Sequence, residues 1–125
     1  IFLQAIGSDN ISYFSSLVLD NKINIKNNFI FVNNKEIEFK RARSDKNEIR
    51  ELDTISNEEI AQGVLKMIYN KDLYIDETIK LILLSLGYKK MNQQQYFRIQ
   101  NIIGDLIEEN KLSNNNDLLH YENNN

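Results

Sequence analysis

The chain has 125 residues, 42% of them hydrophobic and 26% charged, and its formal net charge at pH 7 is -3. This composition is globular and excludes a disordered chain. Cysteine is absent, which excludes disulfides and thiolate metal sites and makes a cytoplasmic location the expectation. No apolar run approaches the roughly 20 residues of a membrane span, so no membrane partner is expected. The first residue is not Met, which predicts a piece cut from a longer protein.

Residues 1–39 predict a small N-terminal subdomain. Possible cap residues at 8–10 precede a short helix that ends near residue 20. Three short runs follow, separated by Asn pairs that suit two-residue hairpin turns. The runs are residues 22–26, 29–32 and 35–40. Turning at the Asn pairs sets Ile25 opposite Ile30 and Ile30 opposite Ile37, so one face is apolar and a three-stranded antiparallel meander is predicted.

Residues 39–50 are the most basic stretch, and residues 40–55 are interpreted as a basic linker. Its candidate phosphate contacts are Arg41, Arg43 and Lys46. Interspersed charges in a loop are also typical of a segment that is merely solvated, so both interpretations stay open.

Residues 56–121 predict three helices and a hairpin. Ser56 and Glu59 form a capping-box pattern that begins the first helix. A short extended run precedes the second helix, which has Asp76 at its predicted N-cap and Gly87 at its end.

Asn92 and Gln95 form a second capping box, which begins the third helix. After it, residues 111–121 predict a hairpin with its turn at Ser113–Asn116, and residues 122–125 predict a frayed tail. This order of elements is that of a winged helix. The predicted fold is therefore α+β, a winged helix of three helices plus a β-wing, preceded by a short helix and the meander.

In a helix-turn-helix the later helix enters the DNA major groove by its N-terminal end. Polar side chains able to pair with phosphates and base edges crowd that end here, Gln100 among them. The predicted contacts with double-stranded DNA are Lys89, Lys90, Asn92, Gln93, Gln94, Arg98 and Asn101, with Asn115 in the wing.

The charge balance opposes strong isolated binding. Residues 56–121 carry seven Lys and Arg against nine Asp and Glu, a net of -2, and phosphate neutralisation supplies most non-specific affinity. The surplus acid lies at the far end of the third helix. The alternative is a protein-protein interaction module without nucleic-acid contact, docking through Phe29, Phe31 or that acidic end.

No catalytic pattern stands out. The lone His120 on the final strand is typical of a surface or half-buried strand residue rather than of a ligand or base. The four glycines are scattered, so no phosphate-binding loop or dinucleotide fingerprint is present. We therefore expect a non-enzyme without cofactor or metal.

Several short motifs from Lys40 onward suggest a family. They are Arg41-Ala42-Arg43-Ser44, then Arg50, the cap segment 55–60, a Leu-Gly-Tyr segment at 86–88 and a last helix running into Lys111-Leu112. In these the chain resembles a C-terminal domain of unknown function from large bacterial proteins related to superfamily 1 DNA helicases. The resemblance implies an ATP-driven parent enzyme and an accessory winged helix here, without ATPase residues. That family's usual Pro near the cap is missing, and residues 1–39 are not covered.

Overall fold

The structure, a computed structural model, describes residues 23–26, 29–32 and 36–123. The chain divides into two compact units, Ile1–Glu36 and Ile37–Asn125. In chain order the elements are β1 (Ile23–Lys26), β2 (Phe29–Val32), α1 (Asn57–Asn70), β3 (Leu73–Tyr74), α2 (Ile75–Ser85), α3 (Gln93–Glu108), β4 (Leu112–Asn115) and β5 (Leu118–Tyr121). Within residues 36–56, short 3₁₀ turns at Ser44–Lys46 and Leu52–Thr54 precede α1.

In the first unit, β1 and β2 form an antiparallel hairpin. Ile25 lies opposite Ile30 and Ile23 opposite Val32, which confirms the predicted register. The predicted third strand is wrong over residues 36–40, which are not in a strand. The predicted helix before residue 20 and the two Asn turns lie outside the described residues.

The third strand fails because the segment from Phe39 onward packs on α1 instead. The Phe39 ring covers Gly63 so closely that a Cβ on Gly63 would lie 2.6 Å from a ring carbon. The backbone N–H of Lys40 donates to the Glu59 carboxylate at 3.0 Å. Since that N–H bonds to a side chain of α1, it is not used in a strand ladder.

The basic segment, residues 40–55, is held against the helices by backbone hydrogen bonds. Ala42 N–H donates to the Ser85 carbonyl and Arg50 N–H to the Leu86 carbonyl, both at 2.8 Å. The Arg50 guanidinium also pairs with the Glu59 carboxylate. Two side chains of the segment are buried in the core: Leu52 and Ile55. The segment therefore belongs to the same unit as the helices.

The predicted N-caps of α1 and α3 are present. Ser56 Oγ accepts from Glu59 N–H at 3.1 Å. The other half of that predicted box is absent, because the Glu59 carboxylate binds Arg50. At α3 both halves form: Asn92 Oδ1 accepts from Gln95 N–H at 2.9 Å, and Gln95 Oε1 accepts from Asn92 N–H at 3.0 Å.

The start of α2 differs from the prediction by two residues. The helix begins at Ile75, and its N-cap is Tyr74 rather than Asp76. The Glu77 carboxylate accepts from Tyr74 N–H at 3.2 Å, which satisfies one of the amides that a helix start leaves without a partner. Gly87, two residues after the helix, has the left-handed φ of 98° expected of a terminating glycine.

Strands β3, β5 and β4, in that spatial order, form an antiparallel sheet. The turn between β4 and β5 is Asn116-Asp117, with φ values of 52° and 70°, as a two-residue type I′ hairpin requires. The turn predicted at Ser113–Asn116 is therefore displaced, because β4 continues to Asn115. Asn114 Oδ1 accepts from Asp117 N–H at 2.8 Å and closes the turn.

The helices and the sheet enclose one apolar core in the second unit. Its fully buried side chains include Ile55, Ile60, Ile68, Ile79, Ile82, Leu86, Ile99, Ile103, Leu112 and Leu119. The unit is thus α+β, with three helices and a three-stranded antiparallel sheet. This layout is compatible with a winged helix. Within the ranges that the structure describes, no helix combines the length and apolarity that a membrane crossing needs.

Candidate nucleic-acid interface

Helix α3 has one buried face and one exposed face. The buried face carries Ile99, Ile102, Ile103 and Leu106. The exposed side chains, on the opposite face, are Gln93, Gln94, Phe97, Gln100, Asn101, Asp105 and Glu108, with Gly104 among them. Three of the predicted DNA contacts, Gln93, Gln94 and Asn101, therefore share one surface. We call this surface, from Gln93 to Asn101, the amide face.

The start of α3 is held against the start of α2. The Tyr96 hydroxyl donates to Asp76 Oδ1 at 2.5 Å, and this hydrogen bond raises the pKa of Tyr96 above its ordinary value. The next residue, Phe97, is half exposed and meets the Tyr96 ring edge-on, with ring centroids 6.1 Å apart. The first turn of α3, which carries the start of the amide face, is therefore fixed by a contact between α3 and α2.

Arg98, another of the predicted DNA contacts, does not lie on the amide face. Its guanidinium donates to the backbone carbonyls of Leu52 at 2.5 Å and Ile55 at 2.6 Å. It also donates to Asn57 Oδ1 at 2.9 Å. Burial lowers the pKa of Arg98, while nearby Asp53 opposes that shift. The guanidinium thus links the segment before α1 to α3, and its hydrogen bonds are made within the fold.

Lys89 and Lys90 lie exposed in the turn between α2 and α3, immediately before the amide face. Asn92 is also exposed, but its side-chain oxygen is the N-cap of α3. Of the predicted contacts in this turn, the two lysines are the side chains whose charge can attract a phosphate.

The structure brings the basic segment beside this turn. Gly87 lies so close to the segment that a Cβ on Gly87 would be 2.2 Å from the Glu48 carbonyl oxygen. The predicted phosphate contacts Arg41, Arg43 and Lys46 are exposed on the same segment. Arg43 has a partner of its own, since its guanidinium lies 3.5 Å from the Asp45 carboxylate. Two groups of predicted cations, far apart in sequence, therefore lie on adjoining segments.

An open cleft of about 240 Å³ lies at the same end of α3. Its lining residues are Glu51, Leu52, Asp53, Tyr88, Asn92, Gln94, Gln95 and Arg98. The Tyr88 hydroxyl accepts from Leu52 N–H at 3.1 Å across it. Glu51 and Asp53 are exposed there, and their carboxylates repel phosphate. The side that carries Lys89 and Lys90 therefore favours a phosphate more than the cleft does.

The wing contributes amide side chains, and the exposed carboxylate of Asp117 lies in its turn. Asn115 is exposed at the end of β4, as the predicted backbone contact requires. The hairpin Leu112–Tyr121 contains no Lys or Arg, and Lys111, just before it, lies 3.4 Å from the Glu109 carboxylate. Any contact of the wing with phosphates would therefore lack Lys and Arg, and the Asp117 carboxylate would oppose it.

His120 is exposed on β5, as predicted, and it has a partner. Its Nδ1 lies 2.9 Å from Asp72 Oδ1 in the turn before β3. The hydrogen bond with Asp72, and then the charge of that carboxylate, raise the pKa of His120 above its ordinary value of 6.5. No cluster of three metal-binding side chains occurs among the residues described.

We expect the Asp72→Asn variant to lower the pKa of His120, measured by NMR titration of the imidazole. Because the folded-state pKa is raised, the pair stabilises the fold below the unfolded pKa of His120, and this stabilisation is lost as the pH rises through the folded pKa. Asp105→Asn, which removes a carboxylate from α3, is the matched control and should leave the titration unchanged. An unaltered His120 pKa in Asp72→Asn would contradict the assignment.

Comparisons with known proteins found no match to this chain among family models, curated proteins or solved structures.

Proposed function

We propose that the second unit is an accessory winged-helix module that binds double-stranded DNA through the amide face of α3. The main support is the joint exposure of Gln93, Gln94, Gln100 and Asn101 on one helix face, directly after two exposed lysines. Amide side chains pair with base edges, and lysines pair with phosphates. The adjoining basic segment adds charge beside the same end of α3.

The order of elements supports a winged-helix assignment. A helix, a short strand, two further helices and a two-stranded hairpin follow one another, and the short strand β3 pairs with β5 of the hairpin. In such modules the helix after the tight turn enters the major groove by its N-terminal end. That end of α3 carries the amide face.

The proposed affinity is modest. Residues 37–125 carry 12 Lys and Arg against 15 Asp and Glu, a net of -3. Non-specific DNA binding at physiological salt typically has a Kd of about 10⁻⁴ to 10⁻⁶ M, and a module of this charge belongs at the weak end. The role that fits is accessory, within a larger helicase-related protein that supplies the remaining affinity and the ATPase activity.

We expect the double variant Lys89→Ala/Lys90→Ala to weaken duplex binding several-fold. The slope of log affinity against log salt should become less steep by about 1.8, because each phosphate contact contributes about 0.9. Fluorescence anisotropy of the whole chain with a random-sequence duplex, from low to physiological salt, measures both quantities.

The matched control is Lys66→Ala/Lys71→Ala. It removes the same charge from exposed positions on and just after α1. If both double variants weaken binding equally, the effect is one of net charge alone and the lysine contacts are excluded. If the unaltered chain binds no duplex even at low salt, the DNA proposal itself fails.

A second candidate function is a protein-interaction module. It is favoured by exposed apolar side chains at the N-cap of α2 and within the helix: Tyr74, the N-cap residue, is 52% exposed, Leu81 40% and Leu84 60%. A spacing of three residues places Leu81 and Leu84 on one side of the helix. The same duplex titration separates the two candidates, because this one requires no affinity for DNA.

A further inference from the structure

We infer that the amide face reads A·T base pairs in the major groove in preference to G·C pairs. This inference rests on the proposed function and specifies which duplexes the same face takes. It follows from the side chains that α3 exposes, and from Arg98, whose guanidinium is bound within the fold.

The exposed side chains match the major-groove pattern of A·T pairs. Asn and Gln can each donate to adenine N7 and accept from adenine N6 in a bidentate pair, and an aromatic side chain contacts the thymine methyl group. The amide face supplies both kinds of group. Its amides are Gln93, Gln94, Gln100 and Asn101, and half-exposed Phe97 lies between them.

The side-chain type that most often binds guanine is not exposed on the amide face. Arg or Lys paired with guanine O6 and N7 is the commonest specific contact in the major groove, and Arg98 is the only Lys or Arg in α3. Its guanidinium is bound to the carbonyls of Leu52 and Ile55 and to Asn57. Lys89 and Lys90 precede the helix, in the turn, where the proposed contact is with phosphates.

The acidic end of α3 lies too far along the helix to read cytosine from the same groove. At a rise of 1.5 Å per residue, the amide face spans about 12 Å, which is about the width of the major groove. Asp105 lies roughly 18 Å beyond the first residue of the helix. Between them Gly104 offers no side chain, and a Cβ there would meet nothing within 4 Å. The carboxylates of Asp105 and Glu108 would instead face phosphates and be repelled.

The test measures the affinity of the whole chain for four duplexes of equal length at low salt. The first contains mixed A·T sequence and the second mixed G·C sequence. The third contains inosine·cytosine pairs, which present the major groove of G·C and a minor groove close to that of A·T. The fourth is the A·T duplex with 7-deazaadenine, which lacks the N7 acceptor and keeps the base pairing.

We expect the A·T duplex to bind at least about fivefold more tightly than the G·C duplex, the lower end of the discrimination of one bidentate pair. The inosine and 7-deazaadenine duplexes should bind as weakly as G·C. The variant Gln100→Ala/Asn101→Ala should lose this preference and keep the salt dependence. Gln62→Ala, which removes an exposed amide from α1, should keep both.

The outcomes separate the inference from the proposed function. Equal binding of all four duplexes overturns the A·T preference and leaves a sequence-independent DNA module. Binding of the inosine duplex as tightly as A·T also overturns it, because the selective contact would then lie in the minor groove. Absence of binding to every duplex removes both the inference and the proposed function.

Discussion

Replacing Arg98 with Ala is expected to lower the free energy of unfolding by about 2–4 kcal/mol, since hydrogen bonds from charged groups contribute about 1.5–3 kcal/mol each and are not fully additive. The side chain donates to two backbone carbonyls, of Leu52 and Ile55, and to Asn57. Ile55 is fully buried and Leu52 nearly so, so their carbonyls have restricted access to water that could replace the guanidinium. Without these hydrogen bonds, the segment before α1 should detach from α3.

Urea denaturation followed by circular dichroism measures this effect. Arg98→Lys keeps the charge but has one donor group instead of a fork, so it should recover only part of the lost stability. Arg41→Ala removes an exposed arginine and should change the stability by less than about 0.5 kcal/mol. If Arg98→Ala left the stability unaltered but weakened DNA binding, Arg98 would be inferred to contact DNA rather than to stabilise the fold.

Replacing Gly87 with Ala is expected to lower the free energy of unfolding by about 2–5 kcal/mol, combining backbone strain with steric overlap. Its φ is 98°, in the left-handed region that favours glycine. The added Cβ would lie 2.2 Å from the Glu48 carbonyl oxygen and 2.9 Å from the Ile49 Cα. Both are backbone atoms, so the basic segment would have to move away from the turn.

Gly104→Ala is the matched control in the same denaturation experiment. Gly104 lies within α3, and a Cβ there would meet nothing within 4 Å. Since glycine in a helix interior costs about 0.5–1 kcal/mol relative to alanine, this variant should be more stable than the original chain by that amount. If Gly87→Ala were as stable as the original chain, the close packing of residues 48–49 on the turn would be contradicted.

Local patterns in the sequence were sufficient for the three helices and for the N-caps at Ser56 and Asn92. In α1, α2 and α3 the buried apolar residues recur every three or four positions, as do Ile60, Val64 and Ile68 of α1. The caps at Ser56 and Asn92 are where the sequence places them. These features depend on residues three or four positions apart, so a short window of sequence contains the whole interaction. The register of β1 and β2 is similar, because the two strands are close in sequence and the observed pairing places Ile23, Ile25, Ile30 and Val32 on one face.

The sequence by itself therefore determined the three helices, the N-caps at Ser56 and Asn92 and the amide-rich start of α3. The tertiary structure decided which of the polar side chains at that start face outward. Arg98 looks like its neighbours in sequence, but its hydrogen-bond partners Leu52 and Ile55 lie 46 and 43 residues away. Residues 36–40 have strand-like composition, but Phe39 packs against Gly63 of α1 and the segment forms no strand. In both cases a partner distant in sequence outweighs a local preference, because burial and hydrogen bonding depend on which segments the fold brings together.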